Sequence, residues 1–405
     1  MSLHHLLLGA FVLGLGTSIT LAQAALALLA VRWLWRLRDP AARRAPPLLG
    51  PVLAFAGVTA LSALTSGAAG PSFFAAKSTL LAVALFVVAD ILDGPADADR
   101  FLSVVMAVTT VAAALGLLQV ALCPGQAADY GWPSLLYHRC HRARGFFSIY
   151  MTLAGALVLV LLTSLPRVLA RRLRGAELPT WLVMLAALLA TFTRGAWLGF
   201  VAGVVVLAVM LRRGRLVLLG GLLLLAAGAL AGPSELRHRV QATVDPAEEG
   251  VRERLFMWQS GVAIWRERPW LGAGPGGVKR LYGGYALRDA VKQRTGHVHS
   301  APLQILVERG LLGFAVWVWV WVAFYVRAAA ALRALPPSYD PRARRLTLGC
   351  IAAVTGFLVA GLSEYNFGDS EVVLLAWTVM ALPFVATRPE RGLTSGTGPS
   401  DGAGG

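Results

Sequence analysis

Long apolar runs, each ended by charged residues, glycine or proline, dominate the pattern along the chain. A helix needs about 20 apolar residues to cross the hydrocarbon core of a bilayer. Runs of roughly that length predict eleven transmembrane helices, and therefore an all-α, polytopic membrane bundle of about 11 or 12 helices. The predicted spans are Leu6–Val31, Pro47–Leu64, Phe73–Leu92, Phe101–Leu122, Phe146–Leu165, Leu178–Thr193, Gly195–Leu211, Leu216–Ala231, Leu311–Val326, Leu346–Leu362 and Val372–Thr387.

One long hydrophilic stretch, residues 232–310, interrupts this series of spans. It divides the chain into N-terminal transmembrane helices (1–231), a large loop (232–310) and C-terminal transmembrane helices (311–388). The last segment, 389–405, is rich in Gly, Ser and Thr, a composition typical of a disordered tail. The pattern therefore predicts one membrane domain with a single large loop on one face.

The composition agrees with a membrane protein. Hydrophobic residues make up 57% of the chain and charged residues 14%, against about 25% charged residues in soluble proteins. This balance excludes a soluble globular fold, a disordered chain and a small disulfide scaffold. The formal net charge of +16 would suggest a nucleic-acid partner in a soluble protein. In a membrane protein the orientation of the helices explains it first, so we expect no nucleic acid.

Basic residues predict the orientation, because short cytoplasmic loops carry an excess of Lys and Arg. Five segments alternate along the chain in a way that places all of them in the cytoplasm, with the N-terminus and the large loop outside. This orientation requires a break at Arg194. A single helix from Trp181 to Met210 would place Arg194 in mid-bilayer and two basic clusters outside, so we reject it. The cytoplasmic segments are Arg32–Arg44, Arg167–Arg174, Arg212–Arg215, Arg327–Arg345 and Arg388–Arg391.

A motif stands where the large loop re-enters the membrane. It consists of His, Ser, nine residues, and Gly-x-x-Gly. This spacing resembles the signature of the O-antigen ligase / O-antigen polymerase superfamily of bacterial membrane glycosyltransferases. Phe314, which follows the motif, departs mildly from the smaller aliphatic residue that is usual there. The matching positions are His299, Ser300, Gly310 and Gly313, and Glu308 fits a looser pattern of related protein-glycosylating ligases.

His299 is the candidate catalytic base. An imidazole titrates near neutral pH and can take a proton from a sugar hydroxyl. Two alternatives stay open: His299 could be a structural hydrogen bonder at a helix start, and His297 could be the base instead. The register set by Ser300, Gly310 and Gly313 favours His299.

Three arginines are candidate ligands of a diphosphate, because a guanidinium stays charged and donates in a bidentate fork. Arg194 lies in a Thr-Arg-Gly stretch, Arg254 in an Arg-Glu-Arg stretch of the loop, and Arg144 before a Gly-Phe-Phe sequence, all resembling family patterns. Each has an ordinary alternative. Arg194 could reach lipid phosphates, Arg254 could pair with Glu253 or Glu249, and Arg144 could face lipid.

The remaining motifs predict structure rather than a catalytic or binding site. The Gly-rich stretch Pro269–Gly277 is neither a Rossmann fingerprint nor a P-loop, and it predicts a turn whose backbone passes close to a neighbour. The His and acidic residues lack metal-ligand spacing, so we expect no metal. Three tryptophans alternate in a late span and predict lipid-facing or interfacial packing: Trp317, Trp319 and Trp321.

The resemblance implies a GT-C-type enzyme of the bacterial inner membrane with a periplasmic active site. It implies transfer of a polysaccharide from undecaprenyl diphosphate to a sugar hydroxyl of lipid A–core, with inversion and without a metal or other cofactor. The implied partners are the undecaprenyl-diphosphate-linked glycan, a lipid A–core or second glycan acceptor, and the bilayer. The sequence leaves open the alternative of a polymerase that joins lipid-linked repeats.

A transporter of lipid-linked oligosaccharides is the candidate from another class. It would predict internal repeats and charges near the bilayer midplane. The sequence shows no repeat, and the candidate residues cluster at one face, so the transferase is favoured.

Cys123 and Cys140 both fall in a short segment that the charge pattern places outside, where bacterial disulfides form. We expect a bridge between them that closes a loop of roughly 17 residues. Two free thiols are the alternative. Cys350 lies in a late span without an obvious partner.

Overall fold

The computed structural model describes residues 3–39, 44–123, 140–170, 177–211 and 249–388, and all regular structure in these ranges is helical. Six helical segments are long and apolar enough to cross a membrane. The predicted all-α, polytopic membrane bundle is therefore confirmed. The helices are α1 (Leu3–Thr17), α2 (Ile19–Arg36), α3 (Leu49–Thr65), α4 (Ala69–Ala76), α5 (Val83–Ile91), α6 (Gly94–Ala121), α7 (Tyr150–Ala170), α8 (Glu177–Ala190), α9 (Arg194–Met210), α10 (Glu249–Glu267), α11 (Gly277–Leu281), α12 (Ala301–Ala334), α13 (Pro341–Gly361) and α14 (Ser370–Ala386), with 3₁₀ turns at Lys77–Ala82, Tyr282–Gly284 and Asn366–Gly368.

The first apolar run does not form one span. Ser18 has extended backbone and separates α1 from α2, and its hydroxyl accepts a hydrogen bond from the Leu21 N–H. Small residues let the two helices approach closely, because a Cβ on Gly14 would lie 2.4 Å from the backbone N of Ala22. The helices fold back on each other as a hairpin.

This hairpin changes the position of the N-terminus. His4 lies within electrostatic range of Arg32 and Arg36, near the far end of α2. The start of α1 and the end of α2 therefore lie at the same end of the bundle. The prediction of a single span Leu6–Val31 is wrong, because helix packing turns the run back on itself. If the Arg32–Arg44 segment is cytoplasmic, as predicted, the N-terminus lies on the cytoplasmic side as well.

Ion pairs gather at the end of the bundle where α2 finishes. Buried charges need partners because desolvation is costly, and three of the predicted cytoplasmic arginines meet acids from other helices. The pairs are Arg36–Asp90 (2.7 Å), Arg44–Asp93 (3.3 Å), Arg167–Asp99 (3.3 Å) and Arg167–Glu177 (2.5 Å).

The predicted break at Arg194 is confirmed. α8 ends at Ala190, Phe192 takes a left-handed conformation (φ 51°), and α9 begins at Arg194. α9 then packs closely on α13, since a Cβ on Gly199 would lie 2.3 Å from the carbonyl O of Gly356. The predicted span Leu216–Ala231 and the tail 389–405 lie outside the described residues.

The tryptophans of α12 do not all face lipid. Trp317 and Trp321, four residues apart, lie on one helix face and are buried, whereas Trp319 is 49% exposed. Trp321 stacks on Trp377 at 6.0 Å between ring centroids, and both buried rings contact Phe367. The lipid-facing prediction is wrong for Trp317 and Trp321, because residues one turn apart share the face that meets α14.

The Cys123–Cys140 disulfide is confirmed, with 5.4 Å between the two Cα atoms. Cys350 is free and buried in α13. The bridge joins the end of α6 to the segment that leads into α7. At this end of the bundle, predicted to face outward, the Ala143 N–H also donates to the Ala190 carbonyl (2.9 Å), at the end of α8.

Candidate active site

His299 is presented at the start of α12. Ser300 has extended backbone and caps the helix, since its hydroxyl accepts from the Leu303 N–H. The Ala301 N–H donates to the Glu364 carbonyl (3.2 Å). His299 itself takes a left-handed conformation (φ 51°), which is uncommon for a side-chain-bearing residue and needs surrounding contacts to hold it. Ser300 is therefore the N-cap of α12, and this cap orients the backbone of the preceding residue, His299.

Glu364 joins His299 to Arg254. One carboxylate oxygen lies 3.3 Å from His299 Nδ1, and the other accepts from Arg254 Nη2 at 2.6 Å. The side chains of His299 and Glu364 are 13% and 11% exposed, so both are shielded but reachable. A carboxylate only accepts hydrogen bonds, so His299 donates from Nδ1 and its Nε2 is left as the proton acceptor in the neutral ring.

The partner of Arg254 differs from both alternatives considered for it. Glu253 turns the other way and accepts from the backbone N–H groups of Val291 and Lys292, at 2.7 and 3.2 Å. It holds the loop against α10. Arg254 instead reaches Glu364, which stands 110 positions later between α13 and α14.

His297 is the weaker candidate for the base. Its ring lies 4.4 Å from the ring of His299 and 5.8 Å from that of Tyr365, measured between centroids. Burial above all, with the neighbouring His299, lowers the pKa of His297 to about 4, although Glu364 opposes the shift. A ring with that pKa is neutral at pH 7 and takes up a proton less readily than an ordinary imidazole.

Arg194 begins α9 at the same outer corner. A Cβ on the next residue, Gly195, would lie 2.5 Å from Ser363 Oγ and 3.4 Å from Glu364 Cγ. The glycine of the Thr-Arg-Gly stretch is therefore needed for close approach to the Glu364 segment. The structure brings Arg254 and His299 onto one carboxylate, and the backbone beside Arg194 approaches the same segment.

Arg144 is buried at the outer ends of α6 and α8. Its backbone N–H donates to Gln119 Oε1 (3.3 Å), and its guanidinium donates to the Phe147 carbonyl (3.2 Å). Gly145, next in the chain, also bonds Gln119 (2.9 Å). These contacts hold the segment before α7 in place, and diphosphate binding by Arg144 stays a prediction.

The two motif glycines shape α12. Gly310 (φ 63°, ψ −170°) interrupts the helix, and a Cβ there would lie 2.3 Å from the backbone of Trp270. The kink lets the Leu311 N–H donate to the Pro269 carbonyl (2.8 Å). One turn later, a Cβ on Gly313 would lie 2.3 Å from Arg309 Cβ. Both glycines are thus steric requirements of the kinked segment.

The Gly-rich stretch Pro269–Gly277 is a turn that packs closely on α12, as predicted. Gly272 has a positive φ of 70°, and a Cβ added there would lie 2.5 Å from the carbonyl carbon of Glu308. The Ala273 N–H donates to the Val307 carbonyl (2.9 Å). These contacts hold the large loop against the helix that carries His299.

Glu308 belongs to a buried polar network. Its carboxylate accepts from Gln304 Nε2 (2.9 Å) and lies 3.4 Å from Arg309, whose Nε donates to Thr59 on α3. The network ties α12 to α3. Within the described ranges, no three His, Cys, Asp or Glu residues gather as a metal site would require, and independence from metals stays a prediction.

Sequence reasoning missed Glu364 and Tyr365. Neither stands at a motif spacing from His299, and both lie beyond the large loop. The available signal was an acid at the outer end of a span, Leu346–Leu362, where a charged residue is costly near lipid and marks a candidate functional position.

Comparison with known protein families gives a match. The sequence model of a family described as O-Antigen ligase matches residues 179–318, about a third of the chain. That range includes Arg194, Arg254 and His299. No curated protein matches the chain. The resemblance seen in the motifs is confirmed over this range: residues 179–318 of this polytopic helical membrane protein match the O-Antigen ligase family.

Proposed function

We propose that the protein is an O-antigen ligase that transfers a glycan from undecaprenyl diphosphate to a sugar hydroxyl of lipid A–core. The reaction takes place at the periplasmic face of the bacterial inner membrane. The observation that carries this proposal is the bridging of His299 and Arg254 by Glu364 at the outer corner of the bundle. It combines a proton acceptor with an anion-binding group, as transfer from a lipid diphosphate requires.

His299 acts as the general base. Its Nδ1–H is held by Glu364, so Nε2 accepts the proton of the acceptor hydroxyl while the hydroxyl oxygen attacks the anomeric carbon. The new C–O bond forms as the bond from the anomeric carbon to the phosphate oxygen breaks. The diphosphate leaves with that electron pair. Attack from the face opposite the diphosphate inverts the anomeric centre.

Arg194 and Arg254 bind the diphosphate. Charge increases on the leaving group in the transition state, and fixed guanidinium groups stabilise it there. Without donor, Arg254 pairs with Glu364 at 2.6 Å. The diphosphate competes for that guanidinium, so Glu364 becomes more available to His299 when the donor is bound. Two arginines provide the positive charge, and the reaction is expected to proceed without a divalent metal.

Gel electrophoresis of the polysaccharides from a deletion strain tests whether lipid A–core is the acceptor. Loss of all lipid A-linked polysaccharide, with the lipid-linked polymer retained, is expected for a ligase. Products that carry a single repeat on lipid A would instead identify a polymerase, and unchanged polysaccharide would contradict both activities. Complementation with the wild-type chain controls for effects on neighbouring genes.

A further inference from the structure

A cavity of about 670 Å³ lies beside the candidate active site, between α2, the Lys77–Ala82 turn and the outer part of α12. Its volume falls in the range of ligand sites, roughly 300–1,000 Å³. Gln304 and Tyr365 lie on its polar wall, and Leu26 and Leu80 on its apolar wall. A cavity with these two walls suits an amphiphile.

The charges of the cavity favour an anion. Lys77 and Lys279 line it and are exposed, and no described residue forms an ion pair with either of them. The Lys77 ammonium lies 4.1 Å from the ring centroid of Phe74, a cation–π contact that leaves its charge uncompensated. Arg309 and Glu308 also line the cavity but pair with each other at 3.4 Å. The two lysines therefore leave a net positive charge.

The apolar wall is open to lipid. Phe74 and Leu80 are 70% and 74% exposed, and both belong to the candidate membrane span Ala69–Ile91. A ligand with acyl chains can enter from the bilayer beside these residues while its polar part stays near the lysines.

The cavity and the arginines approach Glu364 through different elements. Tyr365 lines the cavity and contacts His297, which in turn packs on His299. Arg194 and Arg254 come from α9 and α10, and α2, the Lys77–Ala82 turn and α12 form the cavity. A base that joins two lipid substrates must lie between them, and His299 lies between these two regions.

We propose that this cavity binds the acceptor, a phosphorylated glycolipid. Its anionic groups lie between Lys77 and Lys279, its chains lie along α2 and Leu80, and its sugar hydroxyl points past Tyr365 toward His299. This inference rests on the proposed transferase function and assigns the second substrate to a site of its own.

The test is steady-state kinetics of the purified protein in lipid nanodiscs, with the concentrations of undecaprenyl-diphosphate-linked donor and of lipid A–core acceptor varied separately. The double variant Lys77→Gln/Lys279→Gln should raise the KM for the acceptor at least about tenfold, because each substitution removes one charge-assisted hydrogen bond to the acceptor's anionic groups. Its kcat and its KM for the donor should stay near the wild-type values. The control Arg266→Gln/Arg288→Gln removes two exposed charges of the large loop outside the cavity and should change neither KM.

Two outcomes would overturn the assignment. A raised KM for the donor alone would make the cavity a donor site, and unchanged KM values would show that it binds neither substrate. If the double variant fails to reach the membrane, Lys279→Glu, on the exposed loop alone, provides the same measurement. Absence of transfer by the wild-type protein would contradict the proposed function itself and is distinguishable from both results.

Discussion

At the scale of single residues, His299 carries the proposed proton transfer. His299→Ala should reduce the transfer rate at least about 10²-fold, the lower range of general-base catalysis. Its amount in the membrane should stay normal, because the side chain lies at the boundary rather than in the packed core. Single-turnover transfer by purified protein measures the loss. His297→Ala is the matched control, and an inactive His297→Ala beside an active His299→Ala would reverse the assignment.

Glu364 contacts both the base, His299, and the proposed diphosphate ligand, Arg254. Replacing it should therefore affect proton transfer and donor binding differently. Glu364→Gln keeps the shape but loses the negative charge that orients His299 and holds Arg254. We expect kcat to fall about 10²-fold, while the KM for the donor stays the same or falls because Arg254 is released. Equal losses in kcat and donor affinity would indicate a purely structural role.

Arg194 and Arg254 should act together on the donor. Arg194→Ala/Arg254→Ala removes both guanidinium groups from the outer corner and should abolish measurable donor binding. Lys at either position should still impair activity, because Lys lacks the bidentate fork. Equilibrium binding of labelled undecaprenyl-diphosphate-linked glycan checks this. Near-normal binding by the double variant would exclude the arginines as the diphosphate site.

At the scale of elements, the kink in α12 holds the large loop in place. Gly310→Ala would force a Cβ to within 2.3 Å of the Trp270 backbone in a conformation that favours glycine. We expect a loss of at least about 2 kcal/mol in the free energy of unfolding, with a lower Tm in detergent. Gly284→Ala, in the same loop but with open space around it, should change the Tm little. Similar Tm values for both variants would contradict this account of the kink.

At the scale of the whole molecule, the α1–α2 hairpin determines on which side the chain starts. The positive-inside rule places the arginine-rich end in the cytoplasm, so His5→Cys in a Cys350→Ala background should resist a membrane-impermeant maleimide until the cells are permeabilised. Arg288→Cys, on the exposed loop, is the control that should react in intact spheroplasts. Labelling of His5→Cys from outside would contradict this placement of the N-terminus.

The sequence by itself determined the features that depend on local composition or short spacing. Apolar runs of sufficient length define most of the spans, and alternating basic clusters required the break at Arg194. The His-Ser and Gly-x-x-Gly register located the start of the kinked helix and carried the family resemblance. The Cys123–Cys140 bridge followed from two thiols on one predicted face. Each of these inferences uses composition or spacing along the chain and needs no knowledge of which helices pack together.

Only the tertiary structure decided which distant faces meet. The hairpin at Ser18 depends on small residues of α1 and α2 approaching closely, which an unbroken apolar run does not reveal. The burial of Trp321 depends on α14 lying beside it. Glu364 becomes part of the site because α13 ends where α10 and α12 begin, so its carboxylate meets His299 and Arg254 across 65 and 110 positions of the chain. Side-chain periodicity predicts that a helix has a buried face, but the partner of that face is fixed by the packing of all the helices together.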